Sequence, residues 1–222
     1  MSSTTYKPGP AVVMPGAKLA VEAVPLRGAS PAVGIKLEPS QTGIWVAISA
    51  ISMSFAALTS ALVVRQGSGM DWHRFVLPPI LYFNTAILIA SSFTLEISRK
   101  RIASVAASAD PEHRSYTPAV TWLAATLLLG LVFVVGQVLA WRNLAAQGLF
   151  LSTNPASSFF YVFTALHGLH VLGGIAGLLY AMRRLFRTMR TAKPVALGAA
   201  AVYWHFMDVL WLYLLFIIAV RM

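Results

Sequence analysis

Cysteine is absent from the 222 residues of this sequence. Structural disulfides, thiolate zinc sites and iron–sulfur clusters all require cysteine sulfur, so the chain cannot build any of them by itself. A copper centre bridged by thiolates is excluded for the same reason. Five histidines remain as nitrogen ligands for any metal chemistry.

Charge is also scarce, and it is one-sided. Charged residues make up 11% of the chain and hydrophobic residues 58%, which is typical of an integral membrane protein. Lys and Arg number 17 against 7 Asp and Glu, giving a net charge of +10. In a soluble protein this excess would indicate nucleic-acid binding. In a membrane protein it indicates topology and contact with anionic phospholipid, so we expect no nucleic-acid partner.

The first 41 residues are polar and rich in proline. The stretch Ala17–Val24 is too short and too charged for the apolar core of a signal peptide. We expect residues 1–41 to form an extended or disordered cytoplasmic arm. Either a flexible tail without a role or an arm lying on a partner fits this composition. The prolines are Pro8, Pro10, Pro15, Pro25, Pro31 and Pro39.

Residues 42–222 contain five hydrophobic segments, each near the ~20 residues that cross a bilayer. Because hydrocarbon offers no partner for backbone N–H and C=O groups, these segments must be helices. The sequence therefore predicts an all-α polytopic membrane protein, a bundle of five transmembrane helices. In the second segment, Pro78 and Pro79 are expected in the first helical turn. The segments are 42–64, 75–98, 118–141, 157–182 and 194–220.

The basic residues alternate in number from one connection to the next. The N-terminal arm and the loops after the second and fourth segments hold thirteen, and the opposite side holds four. Since Lys and Arg concentrate in cytoplasmic loops, the N-terminus is predicted inside and the C-terminus outside. The thirteen are Lys7, Lys18, Arg27, Lys36, Arg99, Lys100, Arg101, Arg114, Arg183, Arg184, Arg187, Arg190 and Lys193; the four are Arg65, Arg74, Arg142 and Arg221.

Two predicted helices carry ionisable residues in their middle. His205 and Asp208 are three residues apart on one helical face, with Trp211 continuing it, and His167 and His170 repeat the spacing. An acid at this depth costs about 2.5–3.5 kcal/mol on insertion scales, so it should face protein or water. We expect the four to form a hydrogen-bonded cluster that fixes helix packing.

A metal site or a two-histidine haem remains open for these residues. Histidine and carboxylate at this spacing on two helices resemble metal sites in bundle cores. Those sites also use several glutamates, whereas Asp208 is the one acid in mid-helix.

Basic clusters and two glycines complete the candidates. Arg99, Lys100, Arg101, Arg183, Arg184 and Arg187 could contact lipid headgroups or act as topology determinants. Glu96 could pair with Arg99 or Lys100. Gly173 and Gly177, four residues apart, have the spacing of a close helix contact.

The two polar helices resemble subunit III of the haem-copper respiratory oxidases. The family's Tyr-Trp-His-Phe-x-Asp-x-x-Trp-Leu helix is matched at 203–212, and its Phe-Phe…Thr…His-Gly-x-His-Val helix at 159–171. Asn84 to Ser92 resembles a third, Asn-Thr…Ser-Ser segment. The likeness runs from about Gly43 to the C-terminus. The residues are Phe159, Phe160, Thr164, His167, Gly168, His170 and Val171, then Tyr203, Trp204, His205, Phe206, Asp208, Trp211 and Leu212.

The resemblance implies a subunit that holds no redox centre of its own. It implies haem and copper in partner subunits, packing against subunits I and II with a small subunit IV as a further candidate, bound phospholipid, and a place in the bacterial inner membrane. The complex would reduce oxygen to water and pump protons, with this chain stabilising the catalytic subunit and supporting proton uptake. Cytochrome c and quinol both remain open as electron donors. An accessory subunit of a nitric oxide reductase and a standalone haem-binding anchor are the alternatives.

The sequence departs from the family in two places. Larger members have seven helices, so the first two are expected to be missing here, and the lipid cleft beside them to be absent or closed by another subunit. Family members often carry a glutamate in the helix that begins at the matched Gly43. Ala50 and Ile51 stand there instead, so no role of that glutamate carries over.

The topology can be tested with reporters fused to the C-terminus. We expect alkaline phosphatase to be active there, because it folds only outside the cytoplasm, and green fluorescent protein to be dark. A fluorescent C-terminal fusion with an inactive phosphatase fusion would reverse the predicted orientation.

Overall fold

The computed structural model describes residues 39–69, 71–73, 75–107, 116–187 and 195–221. They form five helices, each long and apolar enough to cross a membrane, which confirms the predicted all-α membrane fold. The predicted arm lies outside the described residues except for its last three. Arg74, Arg114, Arg190 and Lys193 from the topology count also lie outside them. The helices are α1 (Pro39–Ser68), α2 (Ile80–Ala107), α3 (Thr117–Ala146), α4 (Pro155–Arg187) and α5 (Val195–Arg221).

The helices are longer than the hydrocarbon layer is thick. They run from 27 residues in α5 to 33 in α4, or about 40–50 Å at ~1.5 Å per residue. The hydrocarbon core of a bilayer is about 30 Å thick. Several residues at the helix ends therefore extend beyond the hydrocarbon core.

The start of α2 differs from the prediction. The helix begins at Ile80, and Pro78 and Pro79 precede it. A residue before proline is disfavoured in the helical conformation, so Pro79 keeps Pro78 outside the helix. The carbonyl of Pro78 accepts from the N–H of Leu81, and that of Pro79 accepts from the N–H of Tyr82. The prolines thus satisfy first-turn donors without entering the helix.

Four helices form a closed ring, and the fifth lies outside it. Helix α2 contacts α3 and α5, and α4 contacts the other sides of α3 and α5. Helix α1 contacts α4 and α5, and over the described ranges it does not contact α2 or α3. Helix α5 is therefore the one that meets α1, α2 and α4.

The seam between α2 and α3 follows a heptad pattern. Buried positions on α2 alternate in steps of three and four and place a polar residue at every seventh position. Such spacing is typical of left-handed packing with interlocking side chains. The sequence Leu81, Asn84, Leu88, Ser91, Leu95, Ser98, Ile102 alternates large apolar with small polar side chains.

Glycines on α3 and α4 make room for the indole ring of Trp204 on α5. A Cβ atom at Gly130 would lie 2.7 Å from the Trp204 ring, and one at Gly174 would lie 3.2 Å from the same ring. Of the two glycines predicted to pack helices, Gly173 would make only an ordinary contact of 3.7 Å with the Tyr203 hydroxyl, and Gly177 faces open space. The close approach is one residue away, at Gly174, because that position faces α5.

The α3–α5 contact predicts a cost for a single methyl group at Gly130. Trp204 is buried and its indole N–H is hydrogen-bonded, so the ring cannot swing aside. We expect Gly130→Ala to lower the free energy of unfolding by about 1–3 kcal/mol. The matched control, Gly177→Ala, should be neutral or stabilising by up to about 1 kcal/mol. Unfolding in detergent measures both, and equal stability of the two variants would contradict the close contact.

Candidate functional site: a polar junction between α2 and α5

Three hydroxyl groups of α2 meet the side chains of α5. The indole N–H of Trp211 donates to Thr85 Oγ1 at 3.0 Å, and that of Trp204 donates to Ser91 Oγ at 3.0 Å. Both tryptophans are buried, where an unpaired indole N–H would be costly. Thr85 and Ser91 donate their own hydrogens to backbone carbonyls of α2, which leaves their lone pairs free to accept.

The third hydroxyl, on Ser92, lies between His205 and Asp208. Its Oγ donates to Asp208 Oδ2 and lies 2.8 Å from His205 Nδ1. A hydroxyl has one hydrogen, so Ser92 accepts from His205 while it donates to Asp208. The i, i+3 spacing predicted from the sequence brings the imidazole and the carboxylate onto one serine, and we call these three residues the polar junction.

An ion pair on α2 extends the polar junction toward the helix end. Glu96 Oε2 lies 2.9 Å from Arg99 Nη1 and 4.0 Å from His205 Nε2. Of the two partners considered for Glu96, the structure pairs it with Arg99. The pair is more than a third exposed, so its own contribution to stability is small. Polar side chains whose nearest atoms are at most 4.0 Å apart therefore extend from Asp208 through Ser92, His205 and Glu96 to Arg99.

The two histidines of α4 lie elsewhere in the bundle. His167 is fully buried, with its ring 5.0 Å from Trp211 and 5.9 Å from Phe133 between centroids. Neither of its ring nitrogens has a hydrogen-bond partner among the described residues. His170 faces α1, where its ring lies 5.9 Å from Phe55 and its Nδ1 is 2.7 Å from the Leu166 carbonyl oxygen. The four candidate residues therefore divide between the polar junction, the α1–α4 contact and a cluster of His167, Phe133 and Trp211 that we call the aromatic layer.

Trp211 links the polar junction to the aromatic layer. It stands one turn after Asp208, donates to Thr85 and packs at 5.1 Å edge-on against Phe133. The sequence predicted that Trp211 continues the His205–Asp208 face. In the structure Trp211 also contacts α4, because its indole ring lies against His167.

Sequence reasoning missed several polar contacts between other helices. Thr94 and Thr126 hydroxyls lie 2.8 Å apart across α2 and α3, and Ser98 donates to the Ala119 carbonyl. Trp141 donates to Thr164 at 2.9 Å across α3 and α4. One signal was available, because the polar positions of α2 recur every seven residues within an apolar helix. The partners on α3 carry no comparable sequence signal.

The geometry gives no support to metal or haem ligation. No group of three or more His, Asp or Glu side chains that could hold a metal occurs in the described part of the chain. His205 lies at Ser92 of α2, His170 at Phe55 of α1 and His167 at Trp211 and Phe133, so the histidines have separate surroundings. The arrangement fits hydrogen bonding between helices.

The polar junction predicts a loss of stability when its shared hydroxyl is removed. Ser92→Ala should lower the free energy of unfolding by about 1–3 kcal/mol, because it leaves a buried carboxylate oxygen and an imidazole N–H without their partner. Ser54→Ala is the matched control, since that hydroxyl is exposed and bonds only its own helix at Ala50. The control should change stability by less than about 0.5 kcal/mol. Indistinguishable unfolding of the two variants would refute the structural role of Ser92.

Comparison with known proteins gives a family match over most of the chain. The protein-family model described as "Cytochrome c oxidase subunit III" matches residues 44–220 of the sequence. The probable cytochrome c oxidase subunit 3 of Mycobacterium tuberculosis strain H37Rv is 32% identical over 186 residues, covering 80% of this chain and 84% of the relative. Cytochrome c oxidase subunit 3 of Thermostichus vulcanus is 32% identical over 182 residues, covering 78% and 82%.

A relative whose name gives ubiquinol as the electron donor is also similar to this chain. Cytochrome bo(3) ubiquinol oxidase subunit 3 of Pseudomonas aeruginosa PAO1 is 28% identical over 175 residues, covering 77% of this chain and 79% of the relative. Part of the matched motifs joins α2 to α5 in the structure, namely Thr85, Ser91, Ser92, Trp204, His205, Asp208 and Trp211. The chain therefore belongs to the cytochrome c oxidase subunit III family.

Proposed function

We propose that this chain is the non-catalytic subunit III of a haem-copper terminal oxidase that reduces oxygen to water and pumps protons. The observation that carries the proposal is the use of the family-matched polar residues. Trp204, His205, Asp208 and Trp211 all contact the Asn-Thr…Ser-Ser segment of α2. Side chains held in this way position helices, which fits a subunit that supports a redox enzyme while holding no redox centre itself.

The partners follow from the family. We place haem and copper in subunits I and II, with a small subunit IV as a further candidate, and assign this chain to stabilising the catalytic subunit and supporting proton uptake. The names of the relatives include both cytochrome c and ubiquinol oxidases, so both donors fit. These oxidase names disfavour an accessory subunit of a nitric oxide reductase and a standalone haem-binding anchor.

The structural role proposed for the four candidate residues differs among them. His205 and Asp208 join α5 to α2 through Ser92. His167 fills the aromatic layer, and His170 packs against Phe55 of α1. In this proposal each of the four helps to set the distance between two helices, and none takes part in electron transfer.

Lipid contact is proposed at the end of α2 and the start of α5. A surface pocket of about 200 Å³ lies there, lined by Glu96, Arg99, Lys100, Leu197 and Gly198 among others. Lys100 and the adjoining Arg101 are exposed, and Arg183 and Arg184 are exposed near the end of α4. Arg187 ends α4, and its side chain lies outside the described part. Basic side chains at this depth attract anionic headgroups with about 1 kcal/mol each.

The proposed location is the bacterial inner membrane, with the N-terminus in the cytoplasm. This orientation places the Arg99–Arg101 and Arg183–Arg187 clusters on the cytoplasmic side, as the positive-inside rule requires. It also places the lipid pocket at the cytoplasmic leaflet, whose anionic lipids match its charge.

Purification through a tag on this chain tests the proposal. We expect extraction of native membranes in mild detergent to yield larger subunits with haem and copper and an optical spectrum with a haem Soret band. The chain separated from those subunits should be colourless. A b-type spectrum on the isolated chain would favour the membrane-anchor alternative, and a lone colourless chain from intact membranes would contradict membership of an oxidase complex.

A further inference from the structure

Helix α5 presents one face that is covered by no other helix of the described chain. Since α5 contacts both α1 and α2 while these two do not contact each other, its exposed residues form the floor of a groove between them. Tyr213 marks the α1 flank through its bond to Thr59, and Asp208 marks the α2 flank through Ser92. We call the floor the α5 strip: Val202, His205, Val209, Leu212 and Phe216.

The α5 strip contains one ionisable side chain, His205, at a depth where acyl chains cannot solvate it. His205 is 39% exposed, and Glu96 beside it on α2 is 38% exposed. His205 is ten residues into a 27-residue helix, about 15 Å from its start, which lies within the hydrocarbon layer. Acyl chains neither donate nor accept hydrogen bonds, so polar side chains at such depth face protein or water.

The rest of the α5 strip argues against a water-filled cleft. The other four members are Val, Val, Leu and Phe, all exposed. A surface that is apolar over most of its length and polar near one end fits another transmembrane helix better than it fits a column of water.

Helix α3 provides the contrast. Its exposed face consists of aliphatic side chains alone in the membrane-spanning middle, including Leu128, Leu131, Val135 and Val138. Acyl chains can pack against such a face without leaving any hydrogen-bonding group unpaired. The two faces therefore differ in chemistry although both are exposed.

We infer that the α5 strip, with Glu96 and Phe93 of α2 at its edge, is the surface that docks a membrane-spanning helix of a partner oxidase subunit. The partner helix presents a hydrogen-bonding side chain opposite His205 and Glu96 in the half of the membrane nearer the start of α5. It is apolar opposite Val209, Leu212 and Phe216. This inference rests on the proposed function, which supplies the partner subunits.

Photo-crosslinking tests the surface in the assembled complex. Benzoylphenylalanine replaces Phe93 or Leu212 at the docking surface, and Leu128 or Val135 on the α3 control face. All four side chains are exposed, so the replacement leaves the core unchanged. Each tagged variant is irradiated in native membranes, and adducts are identified by mass spectrometry. If a docking-surface variant fails to accumulate, benzoylphenylalanine is placed at Ile89 or Val209 instead, which are also exposed.

The expected result is an adduct with another oxidase subunit from the docking positions, at least tenfold more abundant than any subunit adduct from the α3 positions. Subunit adducts from α3 alone, or equally from both faces, would overturn the inference while the co-purified oxidase keeps the proposed function intact. Absence of any oxidase subunit from the unirradiated, wild-type purification would overturn the proposed function itself.

Discussion

The hydrogen bonds between α2 and α5 are the interaction on which the rest of this structure depends. In a bilayer, lipid tails are as apolar as leucine, so burying apolar side chains gives helices little reason to associate. Close packing and hydrogen bonds between helices must supply specificity. Thr85, Ser91 and Ser92 on α2 receive Trp211, Trp204 and the His205–Asp208 pair on α5. These contacts fix the position of α5 along its own axis and its rotation about that axis, relative to α2.

The other helices are positioned relative to α5. Gly174 on α4 and Gly130 on α3 admit the ring of Trp204, and His167 on α4 lies against Trp211. Helix α1 is bonded to α5 at Thr59, which accepts from Tyr213, and at Gln66, which donates to the Arg221 carbonyl. The arrangement explains why one helix holds so much of the family pattern. Its tryptophans, histidine and aspartate reach three neighbours at once.

The fold was predictable from sequence because membrane insertion depends on length and apolarity, which the five segments show plainly. The pairing of His205 with Asp208 was also predictable, since both are on one helical face. The separation of His167 and His170 from that pair was not, because periodicity gives the face of a residue but not the neighbouring helix. Ser92 shows the same limit. It was recognised only as part of a family segment, and its role depends on a partner more than 110 residues away.

The central claim is that the Ser92–Asp208 contact holds α2 and α5 together. A double-mutant cycle measures it most directly, with Ser92→Ala, Asp208→Ala and the double variant compared by unfolding in detergent. Because the two side chains are in direct contact, the account predicts a coupling free energy of at least about 0.5 kcal/mol. Effects that add to within about 0.3 kcal/mol would show that the two residues act independently, and would contradict the account.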